Sequence, residues 1–297
     1  MPVHYSTCPA CESGDIKKVL TAEDHTVSHE HFDIWHCNSC TLRFTQDVPS
    51  EDKIGPYYQS EEYVSHSNTS KGLINGLYQQ VRDITLSQKR ALIREMTGKQ
   101  TGSILDVGCG TGELLNTMKQ AGWQTRGLEP DDGARAFAKT QYGLEVTQPE
   151  DLFSLSGTYD CVSMWHVMEH VHRLHEYFEQ LHKLIGETGT LIIAVPNYTS
   201  SDAQHYGEKW AAYDVPRHLY HFSPQSMRRL LSQHGFKLRE LRAMPFDAFY
   251  VSLLSEKYKN GGMRPVSAFL KGAGSWWPSR SKPEQGSSVM YFCERVR

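Results

Sequence analysis

No stretch of this chain approaches the roughly 18 consecutive apolar residues of a membrane-crossing helix, so no transmembrane segment is expected. The opening residues, MPVHYSTCPAC, lack the basic region and apolar run of a secretion signal, and a soluble, cytoplasmic protein is expected. A strong charge of either sign is also missing. With 31 Lys and Arg against 34 Asp and Glu, the net charge is near −3 and the pI near 6.6, so there is no broad footprint for polyanions. There is no internal repeat or low-complexity tract. The 297 residues, 39% hydrophobic and 22% charged, suffice for one large domain plus a small appended one. Nor do the seven cysteines suggest an extracellular disulfide framework: four fall in CxxC pairs and three are scattered, which suits a reducing compartment and a metal.

The pairs are Cys8-Pro9-Ala10-Cys11 and Cys37-Asn38-Ser39-Cys40, with 25 residues between them. Two residues between thiols let one tight turn aim both sulfurs at one ion, and two such turns complete a tetrahedral S4 zinc site. Neither pair begins a helix after a buried strand, as a redox motif of the thioredoxin type does. The few large apolar residues between the pairs make too small a core to fold without metal, so the zinc is expected to be structural. His25, His29, His31 and His36 are alternative ligands but read more simply as solvated loop histidines. Residues 1–45 thus form a zinc ribbon, and residues 46–100 a helical connector or lid. In the connector, Ile74, Leu77, Tyr78, Val81, Ile84, Leu92, Ile93 and Met96 recur at helical spacing, while Tyr57, Tyr58, Tyr63 and His66 are either site-lining or structural.

Residues 103–115, SILDVGCGTGELL, give a buried strand, a glycine turn and an amphipathic helix. Glycines there permit positive φ and let backbone N–H groups approach a ligand. The next strand, Gln124 to Leu128, delivers Glu129 at its carboxyl end, where an acid can take both hydroxyls of a ribose. A dinucleotide loop is spaced GxGxxG; here the pattern is DxGxGxG, and Asp106 would repel a pyrophosphate while suiting a cationic amino-acid head. The ligand is expected to be adenosyl without phosphates.

ILDVGCGTGELL followed by GLEP resembles the signature of class I S-adenosylmethionine-dependent methyltransferases over about residues 100–240. The resemblance implies an α/β, Rossmann-like seven-stranded sheet with an antiparallel last strand, occupying residues 101–297. It implies a cofactor loop of Asp106, Gly108, Cys109, Gly110 and Gly112, a ribose contact at Glu129 with Pro130 beside it, and an adenine edge near Gln148 and Glu150. It also places Trp165 and His166 at the cofactor. Further strands are expected at 158–164, 190–197 and 236–241, a helix from Ser223-Pro224 to Gly235, and the antiparallel strand at 287–294.

Ligands of open α/β sheets lie beyond the carboxyl ends of the strands, where WHVMEHV (165–171) and WAAYDVPRHLYHF (210–222) emerge. Methyl transfer usually needs a proton acceptor on the substrate side, and imidazole has a suitable pKa. His218, His221 and His166 are the candidate bases, each with a structural reading beside the catalytic one; His170 reads equally as a turn-stabilising residue. Tyr63, Arg217, His218 and Tyr220 are candidate acceptor contacts, Arg217 as an anion clamp or as the partner of Asp214. An insertion at about 246–286, with Trp276-Trp277, suits a cap on the acceptor pocket or a homodimer surface; as a membrane-surface helix it has a short apolar stretch and few basic residues. The leading expectation is methyl transfer to a small or medium-sized metabolite such as a nucleotide-linked sugar, by analogy with methyltransferases carrying a zinc-binding N-terminal region. An RNA methyltransferase, a NAD-dependent oxidoreductase and a non-catalytic cofactor-binding module are the alternatives; nucleic acid and membrane are not expected partners.

Overall fold

The computed structural model describes residues 2–59, 73–262 and 264–296, and the backbone alone for 73–83. Near the N-terminus β1 (Ile16–Glu23) and β2 (His31–Cys37) form an antiparallel hairpin, and β3 (Arg43–Thr45) adds to β2. The two CxxC turns meet at one end of this hairpin, because Cys8 and Cys11 precede β1 while Cys37 ends β2 opposite Ile16.

Helix α1 (Leu73–Thr97) leads into β4 (Ser103–Val107), α2 (Glu113–Gln120), β5 (Gln124–Leu128), α3 (Asp132–Tyr142) and the short β6 (Val146–Thr147). Then come β7 (Tyr159–Trp165), α4 (Leu174–Leu184), β8 (Ile185–Pro196), α5 (Ser201–Tyr206) and β9 (Tyr220–His221). Helix α6 (Pro224–Gln233) starts in a capping box, Ser223 and Ser226 each satisfying the other's backbone N–H. The chain closes with β10 (Phe236–Ala243), α7 (Asp247–Asn260), α8 (Pro265–Ser279) and β11 (Ser288–Arg295).

The main sheet has seven strands in the order β10-β11-β8-β7-β4-β5-β6. Strands β6, β5, β4, β7 and β8 are parallel, and β11 runs antiparallel to both β8 and β10, as the seventh-strand expectation requires. Strand alternation sorts the core into two layers. Leu105, Val107, Val162 and Leu191 face Phe178 and Leu181 of α4; Ile104, Cys161 and Ile192 face Leu115 and Met118 of α2 and Ile93 of α1.

Strand β9 comes from the segment after β8, yet it completes the N-terminal sheet, Arg43 opposite His221 and Phe44 opposite Tyr220. Cys8, Leu42, Phe44 and Val48 accordingly share one core with Leu219, Tyr220 and Phe222. The N-terminal sheet is thus joined to the main domain by a strand and a core that both share.

Candidate active site

The loop after β4 answers the question its glycines raise in two ways. Gly108 (φ +72°) and Gly112 (φ +84°) serve packing: a Cβ would fall 2.3 Å from Val167 Cγ2 at the first and 2.7 Å from Leu144 Cδ1 at the second. Gly110 (φ +55°) faces space with no protein atom within 4 Å of where its Cβ would be. Cys109 turns its thiol inward, and a Cβ on Gly127 would fall 2.6 Å from that sulfur, so this residue offers a ligand only its backbone.

Asp106 is buried at the end of β4, accepts a 2.5 Å hydrogen bond from Ser163 Oγ, and has its carboxyl pushed up to about 6 by burial. Glu129, also buried, accepts from Gly110 N at 2.8 Å and Asp131 N at 3.0 Å, and burial raises its pKa. Pro130 is exposed beside it and its carbonyl accepts from Arg135, while Gln148 and Glu150 lie exposed around the turn after β6. Lys89 of α1 closes the other side, with its ammonium 4.0 Å from the centroid of the Trp165 ring. Burial lowers the pKa of Lys89, opposed by Asp106 and Asp247. These residues fit a cationic adenosyl group: two buried carboxylates flank a loop face that opens on free space, and the Trp165 indole N–H has no partner.

A second constellation lies after β7. His166 has φ +58°, a costly conformation for a non-glycine residue of the kind that concentrates at functional sites. Its Nδ1 is 3.4 Å from Glu169 Oε1 and its Nε2 3.9 Å from Asp247 Oδ1; burial disfavours its charge, but the two acids outweigh burial and raise its pKa. Glu169 is fully buried, and neither oxygen has a well-aligned hydrogen bond. Burial works against its ionisation too, yet His166, His218 and His170 together hold its pKa below the usual value. One ligand atom from each of Glu169, His170 and His218 lies within 4.8 Å of the others. His170 Nδ1 meets Arg217 O at 3.0 Å and the Tyr58 hydroxyl at 3.1 Å, while His218 Nδ1 meets Ala212 O at 2.9 Å. Donation to these carbonyls leaves Nε2 of each ring as the basic atom. Burial, then His218, lowers His170 to about 4, so it is neutral at pH 7.

Several expected acceptor residues have other work. Arg217 is fully buried and spends its guanidinium on Asp214, Asp24 at 2.9 Å and Tyr57 O at 2.7 Å, which leaves no donor fork for an anionic substrate. Tyr220 is a buried strand residue whose hydroxyl lies 3.4 Å from His172 O. His221 is likewise closed in, with Nε2 3.0 Å from Thr45 Oγ1 and its ring edge-on to Tyr213. Both residues join the N-terminal sheet to the main domain, so the two histidines of residues 218–221 divide: His218 joins the cluster with Glu169 and His170, and His221 does not. Tyr63 and His66 lie outside the described residues.

Lys89, Glu169 and Asp247 are functional candidates that sequence reasoning passed over. The signal for Lys89 was a cation at helical spacing from Leu86, Leu92 and Ile93, on the stripe that packs inward. Glu169 and Asp247 carry no such mark, because their burial depends on turns distant in sequence.

The sheet with its reversed last strand, the loop and the paired acids define a class I S-adenosylmethionine-dependent methyltransferase. A family described as a methyltransferase domain matches residues 80–241, and the chain belongs to that family. A ubiquinone biosynthesis O-methyltransferase of Azorhizobium caulinodans is 23% identical over 205 residues, spanning 65% of this chain and 79% of that protein. Its namesake from Maricaulis maris is 30% identical over 153 residues, 46% of this chain and 59% of the other. The fold is shared with magnesium protoporphyrin IX methyltransferase of Synechocystis with bound S-adenosylhomocysteine (TM-score 0.53, 16% identity, 81% of this chain and 97% of that one). It is shared too with the 1,6-didemethyltoxoflavin N1-methyltransferase of Burkholderia thailandensis (TM-score 0.52, 14% identity, 93% of this chain and 100% of that one).

At the N-terminus, the described residues bring Cys8, Cys11, Cys37 and Cys40 together with all sulfurs within 4.8 Å of one another and no disulfide. Cys8–Cys40 and Cys11–Cys37 separations are 3.5 and 3.6 Å. Four sulfurs about 2.3 Å from a central zinc stand roughly 3.8 Å apart, so the thiols fit a tetrahedral ion with little movement. His25, by contrast, stacks on Tyr258. No described helix is long and apolar enough to cross a membrane.

Proposed function

We propose that this methyltransferase transfers a methyl group to a hydroxyl oxygen of a small-molecule acceptor lying against Glu169, His170 and His218. The observation that carries this reading is the buried Glu169 carboxylate, short of hydrogen-bond donors and surrounded by three imidazoles beyond the ends of the parallel strands. Asp106, Gly110 and Glu129 would hold the methionine and ribose ends of S-adenosylmethionine, with Gln148 and Glu150 toward the adenosine and Trp165, under Lys89, on the Asp106 side. When bound, that cofactor supplies an electrophilic methyl on a sulfonium. The chain's own part is orientation and proton transfer. His170, neutral at pH 7 with Nδ1 anchored on Arg217 O, takes the acceptor proton at Nε2, and Glu169 stabilises the imidazolium that results. The likeness to two ubiquinone biosynthesis O-methyltransferases favours oxygen over nitrogen as the methylated atom. A nucleotide-linked sugar, suggested by the ribbon arrangement, is the other acceptor class; the engagement of Arg217 with Asp24 and Asp214 removes its most obvious phosphate contact.

The test is incubation with isotopically labelled S-adenosylmethionine and two panels, hydroxylated aromatic precursors and nucleotide-linked sugars, with mass analysis of the products. Glu169→Gln and His170→Ala are expected to lower kcat at least about tenfold with cofactor Kd unchanged, in the range of general-base contributions. Full turnover in both variants would remove the proton-transfer role. We also propose that the four thiols hold one structural zinc, so Cys37→Ser lowers folded yield more than it lowers turnover of the folded fraction. Metal analysis that finds folded protein without zinc contradicts that assignment.

A further inference from the structure

Helix α8 is built the wrong way round for water. Its inward face is made of small residues: Ala268, Gly272, Ser275 and Ser279 are buried at helical spacing. The approach to α7 is so close that a Cβ on Gly272 would stand 2.8 Å from Phe249 Cδ1. Its outward face carries the large ones, Val266 (74% exposed), Phe269 (62%), Leu270 (64%) and Trp277 (67%), at positions i, i+3, i+4 and i+11 of one stripe. Hydrophobic burial in a globular protein produces the opposite arrangement. Most of the large apolar residues exposed among the described residues belong to this insertion, and a contiguous patch of this kind marks an interaction surface.

The charges around the stripe identify the partner. Residues 246–286 contain six basic and three acidic side chains. Each acid is engaged elsewhere: Asp247 bonds Ser288, Glu256 is buried on Tyr206, Ser267 and Asn260, and Glu284 pairs with Arg228. Lys259, Arg264, Lys271 and Arg280 remain exposed around the apolar stripe, Arg280 over both Trp276 and Trp277. A two-fold contact with a second copy would bring two surfaces of the same net positive charge together. An anionic lipid surface complements both features, taking the apolar stripe into the acyl boundary and the cations into the headgroups.

We propose that α8 is an interfacial helix that docks the enzyme on an anionic bilayer. In linear sequence its apolar residues are scattered and short of a run; only the helix collects them on one side. The docking also has a bearing on the candidate site, since α7, against which α8 packs, begins at Asp247, 3.9 Å from His166.

The experiment is co-sedimentation of the full chain with vesicles of phosphatidylcholine alone and of phosphatidylcholine mixed with phosphatidylglycerol, at low and high salt. Binding to the anionic vesicles, weakened by salt, is expected; the Phe269→Ser, Leu270→Ser double variant and the Lys271→Glu, Arg280→Glu double variant are each expected to cut partitioning about tenfold. Because these side chains are exposed, the thermal midpoint and cofactor Kd of both variants should match the parent, so failure here is separable from failure of the methyltransferase reading. Protein that stays in the supernatant with both vesicle types overturns the proposal, as does partitioning unchanged by Phe269→Ser, Leu270→Ser. A dimer in sedimentation equilibrium that this same double variant dissociates, without vesicle binding, assigns the face to a second copy instead.

Discussion

The backbone N–H of Gly110 donates to Glu129 Oε2 at 2.8 Å, so the carboxylate at the end of β5 braces the loop that follows β4. The other oxygen accepts from Asp131 N at 3.0 Å, and both carboxylate oxygens are therefore committed to positioning backbone. Each keeps a second lone-pair direction for a ribose hydroxyl. Glu129→Ala removes the brace and the proposed ribose acceptor together. Cofactor Kd should rise at least about tenfold, corresponding to the roughly 1.5 to 3 kcal/mol of a charge-assisted hydrogen bond. Calorimetry showing the parent's Kd would refute the ribose assignment.

Asp106 sets a pH dependence. Its carboxyl is raised to about 6 by burial, and the ionised form is the one that attracts a cationic amino-acid head. Protonation as pH falls through 6 removes that attraction, so cofactor affinity should be flat above about pH 7 and decline below about pH 6. Asp106→Asn should bind weakly and lose most of this slope. A slope that persists in Asp106→Asn would hand the titration to Glu129 or His166, whose pKa values are also raised.

Arg217 illustrates what sequence could and could not show. Its pairing with Asp214 is local, at i,i+3, and is one of the two readings the sequence offers; Asp24, 193 positions away, joins only because the N-terminal sheet takes β9 as its last strand. Methionine in place of Arg217 leaves two acids in the interior without their cation, which costs on the order of 3–5 kcal/mol. The Asp24 carboxyl lies well below its ordinary range, with burial opposing the shift and Arg217 driving it. The ion pair's contribution is accordingly present above the ordinary carboxylate pKa and lost as pH falls toward the lowered one. Urea unfolding across acidic pH should show that loss in the parent and little of it in Arg217→Met.

The same distinction runs through the rest of the molecule. The strand at Ser103–Val107, its glycine turn and Glu129 were legible because their pattern is local: a short apolar run, glycines that permit positive φ, then an acid at the next strand end. The seventh strand was legible only through the resemblance, which implies an antiparallel strand at 287–294, and its pairing with β8 and β10 bears out the reversed direction. Strand β9 was not, because two residues carry no periodicity and their partner β3 is some 175 positions upstream. His221 and Tyr220 therefore looked like site residues while serving that junction. The wrong-way amphipathicity of α8 was hidden for a related reason: the scattered Val266, Phe269, Leu270 and Trp277 become one stripe only when the small residues between them are known to face inward.

Lys89 supplies the last prediction. Its ammonium sits over Trp165 at 4.0 Å, within the influence of Asp106 and Asp247, at the methionine end of the proposed cofactor site. A cation there complements the carboxylate of an amino-acid head, as Asp106 complements its ammonium. Lys89→Met should raise Kd for S-adenosylmethionine and for S-adenosylhomocysteine by similar factors, about tenfold, because both carry that carboxylate. Lys89→Arg should restore part of the affinity, while 5′-methylthioadenosine, which lacks the amino-acid head, should bind all three proteins alike. If methylthioadenosine loses affinity in parallel, Lys89 acts on the shape of the whole pocket through Trp165 and not on the carboxylate.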